Sequence, residues 1–338
     1  MLNVYFHPKF DFKITASPNP YIFNLENSLA QKYNIINKNY NKKGVLDFFN
    51  YLFKADIYLF NWIENLSERR YGGIQVIFFC LFLIAAKCLR KKIVWILHNK
   101  YSHNISRSKW VDIMYYIMLK HSDLILTHSK SGINFVKERN PLYSKKVKYF
   151  IHPINPIFPT LSHSDCIYDF LIWGTIQPYK GIVDFLKYLK DTGKIHFFKI
   201  LIIGRCLDYQ YKKEVDKYLA INIIHLDEYY EIREIANFAN QAKFTLFTYK
   251  PESLLSSGSL MDSIGMGSAI IGPNIGAFKD LSSYHFINTY STYDKIIDIY
   301  NTYNSNKDSR LKEIDNFCHE NSWELFSEKL CKEINKII

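Results

Sequence analysis

Short apolar runs alternate with longer amphipathic stretches along this chain, and the alternation stops once and then restarts. Before the stop, strand-like runs fall at 4–7, 57–60, 93–97, 124–127 and 147–149, with helical stretches at 21–32, 74–90, 109–121 and 131–138. Strand and helix in repeating order predict a parallel sheet covered on both faces. The continuous run Ile93-Val94-Trp95-Ile96-Leu97 suits a central strand buried on both sides. The stop is 151–159, with Pro153, Pro156 and Pro159; proline can neither continue a helix nor donate to a central ladder. Beyond it, strands are expected at 170–173, 199–203, 223–226, 244–247 and 269–271, and helices at 181–191, 210–219, 231–240, 259–265 and 292–304. Residues 316–338 read as one amphipathic closing helix with Trp323, Leu325, Phe326 and Leu330 as its stripe. The fold class is therefore α/β, with two Rossmann-like parallel-sheet domains, 1–155 and 165–315, facing across a cleft. The closing helix 316–338 is expected to return toward the first domain.

Composition limits the partners. Apolar residues make up 48% of the 338, enough for two cores and too many for a disordered chain. The formal net charge of +11 suggests an anionic partner: a nucleic acid, a membrane surface or a phosphorylated small molecule. Basic residues are scattered and no nucleic-acid motif occurs, which disfavours the first. The cysteines (Cys80, Cys88, Cys166, Cys206, Cys318, Cys331) have neither metal nor disulfide-framework spacing, as in a reducing cytoplasm. The N-terminus reads as a first strand rather than a signal peptide. The longest apolar run, 74–86, would span ~20 Å as a helix, short of a ~30 Å bilayer core. Arg69, Arg70, Arg90, Lys91 and Lys92 flank it. That pattern suits either a core helix with basic ends or a helix lying on an anionic membrane face.

Two stretches of the second half could seat a phosphate. The first is Trp173-Gly174-Thr175-Ile176-Gln177-Pro178-Tyr179-Lys180-Gly181, between a strand and a helix. Gly174 permits close backbone approach, and Lys180 puts a compact charge beside a helix start. An ordinary loop with a solvated lysine is the competing reading. The second is Ser256-Ser257-Gly258-Ser259-Leu260-Met261-Asp262, a small-residue turn opening a helix before the strand near 269–271. Free amides and hydroxyls at Ser257, Gly258 and Ser259 suit a diphosphate, or they are a plain serine cap. Asp262 could accept ribose hydroxyls or complement the helix dipole.

Together these stretches resemble the donor half of GT-B glycosyltransferases, especially retaining family 4 and its bacterial polysaccharide relatives. The likeness is carried by Gly174 to Gly181 after the strand, and by Tyr249, the 257–259 turn, Asp262, Gly267, Ala269 and Ile270 in order. It extends to His98-Asn99-Lys100-Tyr101-Ser102-His103 after the strand at 93–97, to 123–130, and to Ile151-His152-Pro153. The resemblance implies a nucleoside-diphosphate sugar as donor, held by Lys180 and the turn Ser257, Gly258 and Ser259, with Asp262 as the ribose ligand; Gly174, Thr175 and Tyr249 complete the donor-binding candidates. It implies that His98 contacts the transferred sugar, making His98 and Lys180 the catalytic candidates. Three positions depart from the pattern. Thr175 stands where many members have Arg, and Arg205 is the expected replacement. Leu254 stands where an acid is usual, with Glu252 two residues earlier. Ser17-Pro18-Asn19-Pro20-Tyr21 replaces a glycine-rich loop. The nucleobase is expected near Asp227, Glu228, Tyr229 and Tyr249.

No Asp-x-Asp triplet occurs, so no metal bridge and no cofactor are expected; lysine, arginine and helix amides would take the diphosphate charge. With retention, no protein nucleophile is needed; with inversion, Asp11, Glu64 and His98 are the candidate bases. For a glycan acceptor, Trp62 offers a stacking face and Glu64 a carboxylate, with Asn99 and His103 nearby in sequence; a half-buried Trp with a solvated Glu is equally consistent. A membrane-facing helix would make that acceptor lipid-linked. The expected function is a cytoplasmic, peripheral hexosyltransferase of bacterial surface-glycan synthesis. The alternative is a GT-B protein that binds nucleotide or sugar without catalysis.

Overall fold

The computed structural model describes residues 1–9, 20–37, 44–68, 70–100, 109–157, 166–250, 255–304 and 306–338. The chain divides into two compact units, Met1–Ile151 with Trp323–Ile338, and His152–Ser322. The hand-over thus falls at Ile151, four residues before the expected boundary.

The first unit is built on a six-stranded parallel sheet. Its strands are β1 (Asn3–His7), β2 (Asn34–Ile35), β3 (Ile57–Asn61), β4 (Lys92–Leu97), β5 (Leu124–Thr127) and β6 (Val147–Tyr149). They lie in the order β2-β1-β3-β4-β5-β6. Every side chain of β3 and β5 is buried, as a double-sided cover requires. Alternation sends Val4, Phe6, Leu59, Val94 and Ile96 to one face, where the helices Pro20–Ala30 and Trp323–Asn335 cover them. The opposite face is aromatic. Tyr5, Phe48, Tyr58, Phe60, Phe79 and Phe82 meet mostly edge to face or tilted, with Tyr58–Phe60 and Phe79–Phe82 stacked, and Tyr5 Oη donates to Asp47 Oδ2 at 2.7 Å.

The second unit repeats the plan with β7 (Tyr168–Trp173), β8 (Ile200–Ile203), β9 (Ile223–Leu226), β10 (Ala242–Leu246), β11 (Ile270–Pro273) and β12 (Ile287–Tyr290). Their order is β12-β11-β10-β7-β8-β9, all parallel. Phe170 and Ile172 face the helix Ile182–Asp191, while Leu171 and Trp173 face the helix Ile232–Asn240. Both sheets thus form the expected doubly covered α/β units.

Residues 316–338 are not one helix. Helices Lys307–Glu320 and Trp323–Asn335 are separated by Asn321 and Ser322. Asn321 Nδ2 donates to Phe317 O at 2.9 Å, and Asn321 O accepts from Ile154 N at 3.0 Å. A parallel bridge joins Ile154 to Ser322, so the outgoing and returning chains are tied where the chain changes units. The last helix completes the first core: Leu330 is fully buried among β-strand side chains. Leu330→Ala should therefore cost about 2–5 kcal/mol, read as a lower midpoint in denaturant titration.

Among the described residues, no helix is long and apolar enough to cross a membrane. Helix Gly72–Cys88 begins two residues before the expected Ile74. It buries Val76, Phe79, Phe82, Leu83 and Ala86 and leaves Ile74, Ile77, Leu81 and Ile84 exposed.

Candidate functional site

In the second sheet the strand order reverses between β7 and β10. The carboxyl ends of the two strands at such a switch point splay their loops apart and leave a crevice. Trp173 ends β7, and Gly174 follows at φ +94°, its N–H donating to Ile203 O at 2.9 Å. Gly204, at φ +131° after β8, allows that approach: a Cβ there would lie 2.3 Å from Gly174 O. The chain then turns through Pro178–Lys180, and Gly181 enters the next helix at φ +66°. Two bonds stitch this loop to the one after β10: Thr248 Oγ1 donates to Lys180 O at 2.5 Å, and Lys250 N to Tyr179 O at 2.9 Å.

These bonds turn Lys180 inward. It is 3% exposed, and its Nζ donates to Trp173 O at 2.7 Å. Burial pulls the ammonium down to about 7. The ring of Tyr249 lies 5.8 Å from Nζ. The Tyr249 hydroxyl is 3.4 Å from Ser257 Oγ, which also accepts from Leu260 N and caps the helix Gly258–Gly265. A Cβ on Gly174 would lie 2.7 Å from Lys180 Nζ and 3.5 Å from Ser259 Oγ. One glycine thus faces both the ammonium and the helix start. Gly174, Lys180, Tyr249, Ser257 and Ser259 come together, although they span 86 positions of sequence between Gly174 and Ser259.

The remaining donor candidates are distributed around this core. Asp262 lies half-buried on the capped helix, and burial pushes its carboxyl up to about 7. Gly258 and Thr175 are exposed. Arg205 is exposed at the end of β8, next to β7, and its carbonyl accepts from Ile176 N at 2.9 Å. Glu228 is exposed after β9, two strands or ~10 Å from β7. Asp227 is engaged structurally, accepting from Cys206 N and pairing with Lys212. Glu252 lies outside the described residues. The sequence reading missed Thr248, Gly204 and Ser263. Ser263 Oγ accepts from Trp173 Nε1 at 2.8 Å and anchors the capped helix to β7. A glycine directly after β8 was the available sign of a close approach; Thr248 and Ser263 carry no such sign.

The first unit places its candidates at the carboxyl ends of β1, β3, β4 and β5. Asn61 Nδ2 donates to His7 O at 3.2 Å, so its Oδ1 accepts from His98 Nε2 at 3.0 Å. Trp62, at φ +46°, stacks on His98 at 4.1 Å with 16° between planes, and Tyr21 meets the same ring edge-on at 4.8 Å. Tyr21 Oη donates to His128 Nε2 at 2.8 Å, and His128 Nδ1 donates to Phe150 O at 2.9 Å. His98 is thereby held in one orientation with its proton on Nε2. Asn99 is half-buried, and its carbonyl accepts from Tyr115 Oη at 3.0 Å. Asp11 and His103 lie outside the described residues.

Glu64 departs from expectation. It is 2% exposed in the turn Ile63–Glu68, beside the Trp95 indole N–H, and neither carboxylate oxygen has a well-formed hydrogen bond. Burial, with some help from Glu68, pushes its carboxyl up to about 7. Trp62 is half-buried, as one of the two readings of 62–64 had it, but Glu64 is not the solvated carboxylate of that reading. Among the described residues, no group of three or more His, Cys, Asp or Glu could hold a metal ion.

Replacing the buried ammonium by an isosteric thioether isolates its cost. Folded Lys180 gives up its proton near 7 and unfolded lysine near 10.5, so its penalty is complete below pH 7 and fades as pH rises. Ligand-free Lys180→Met should gain stability over the parent at pH 6. That gain should shrink by roughly 2–3 kcal/mol by pH 9, read by denaturant titration at both values.

No protein-family model and no curated protein matches the sequence. Solved structures match it over nearly its whole length. HepE (Alr3699) of Anabaena, crystallised in complex with UDP-glucose, is 11% identical at a TM-score of 0.70, with 99% of this chain and 100% of that chain covered. A glycosyltransferase of Rickettsia africae is 13% identical at 0.61, covering 99% and 97%. The lipopolysaccharide outer core galactosyltransferase WaaB is 15% identical at 0.58, covering 88% and 80%. At these identities the likeness establishes the fold: two Rossmann-like α/β units of the GT-B type.

Proposed function

We propose that this chain is a glycosyltransferase that moves a hexose-type sugar from a nucleoside diphosphate to a glycan acceptor with retention of configuration. The observation that carries this reading is the buried Lys180 ammonium beside Gly174 and the Ser257-capped helix start. A buried cation with one carbonyl partner, next to helix amides, is suited to a diphosphate. Similar structures support it, since HepE has been crystallised with UDP and glucose and with UDP-glucose.

In this mechanism the glycosidic carbon–oxygen bond to the β-phosphate breaks as the acceptor oxygen bonds to the same carbon on the same face. The acceptor's proton passes to the departing phosphate oxygen. Negative charge grows on that phosphate, where Lys180 and the amides at 257–259 stabilise it without rearranging. Asp262 is assigned to the ribose hydroxyls and Arg205 to the outer phosphate edge. His98, held by Asn61 and stacked on Trp62, is assigned to the transferred sugar. Trp62 and Asn99 are assigned to the acceptor. No metal bridge is required, because the counter-charge comes from side chains and backbone dipoles.

The test begins with thermal shifts against UDP, GDP and CDP and their sugars, followed by product analysis with the stabilising donor. Lys180→Ala should lower turnover about 10²–10³-fold. Unchanged turnover would remove the phosphate role. His98→Ala should reduce turnover more than nucleotide affinity, compared by steady-state kinetics and calorimetry; a loss confined to nucleotide affinity would place the ring elsewhere. A folded protein that binds nucleotide yet turns over no donor would establish the non-catalytic alternative.

A further inference from the structure

Helix Gly72–Cys88 is apolar on every side, a composition that soluble proteins enclose completely. Here only one side is enclosed. Val76, Phe79, Phe82 and Leu83 enter the aromatic core, while Ile74 (55% exposed), Ile77 (50%), Leu81 (52%) and Ile84 (55%) form an open stripe. Their spacing of three and four residues puts them on one helix face over ~15 Å. Phe78, 40% exposed, lies against the same stripe.

The adjoining helix Lys109–His121 widens the surface. Trp110, Ile113 and Tyr116 are its exposed apolar positions, each three residues from the last. Trp110 joins the two helices, for a Cβ on Gly73 would fall 2.7 Å from its ring. A contiguous apolar surface of this kind marks a contact with something apolar.

Charge identifies the partner. From Tyr71 to Lys92 the sequence has no Asp or Glu. Arg70 stands at one end of the helix, and Lys87, Arg90, Lys91 and Lys92 at the other. Lys87 is paired with Asp123, which leaves three cations at that end beyond the pair. A second copy fits poorly, because both ends of the stripe are basic and a two-fold contact would bring like charges together. We propose that this face docks flat on an anionic lipid bilayer, with the apolar stripe entering the acyl boundary and the basic ends meeting phosphates. Trp110, Tyr116 and Tyr71 are the ring types that settle at headgroup depth. The surface belongs to the first unit and is independent of the nucleotide chemistry assigned to Lys180.

Co-sedimentation with vesicles tests this without any transfer assay. The full chain should bind vesicles of equal parts phosphatidylcholine and phosphatidylglycerol. On phosphatidylcholine alone, or in high salt, binding should fall by about ten-fold or more. Ile77→Glu combined with Leu81→Glu should abolish vesicle binding while nucleotide thermal shifts persist. Lys91→Gln with Lys92→Gln, which leaves the apolar stripe intact, should weaken binding to the mixed vesicles only. Equal binding to both vesicle types, or none to either, overturns the proposal. So does a stable dimer that Leu81→Glu dissociates while vesicles go unbound.

Discussion

The candidate site depends on one buried hydrogen bond, from the Lys180 ammonium to the carbonyl that ends β7. A lysine at a loop would normally keep its charge in water. Here Thr248 holds the Lys180 carbonyl, Tyr179 accepts from Lys250, and Gly174 leaves the space into which the ammonium points. The cost of that burial appears in a proton held only to about 7. The proposed diphosphate would bring a negative charge to this ammonium, which has one carbonyl partner in the structure. The desolvation cost is carried by a sheet whose central strands are closed to water on both faces.

The two units solve the same geometric problem with different chemistry. Each brings distant segments together at the carboxyl edge of a parallel sheet. The second assembles an ammonium, a phenol and two serines around a glycine. The first assembles rings, with Trp62 and Tyr21 enclosing His98, and Asn61 fixing its proton on Nε2. A histidine held this way keeps a single tautomer. Glu64 shows the opposite outcome. It lies two positions from Trp62 on the sequence, yet the turn after β3 carries it into the core.

Much of the architecture was legible in local pattern. Strand 124–127, buried at every position, leaves a strong apolar run and has the expected limits, as do the edge strand 223–226 and helix 109–121. The edge strands β2 and β12 were not legible. β2 has two residues, and β12 carries half-buried Asn288 and Thr289, so neither shows a clear run. The closing stretch was misread because helical periodicity continues past Glu320. The break at 321–322 is imposed by the bridge to Ile154, a contact no local window contains.

The sequence by itself determined the two α/β units, the proline-rich passage between them, and the glycine and serine turns where a phosphate could sit. These follow from periodicity and backbone permissiveness, which act over a few neighbouring residues. Only the tertiary structure decided that Lys180 is buried, that Glu64 is closed off from solvent, and that one side of an all-apolar helix is left uncovered by its own unit. Burial is a property of what packs against a residue, and for Lys180 the packing comes from Thr248, Tyr249 and the end of β7, which meet only when the sheet forms.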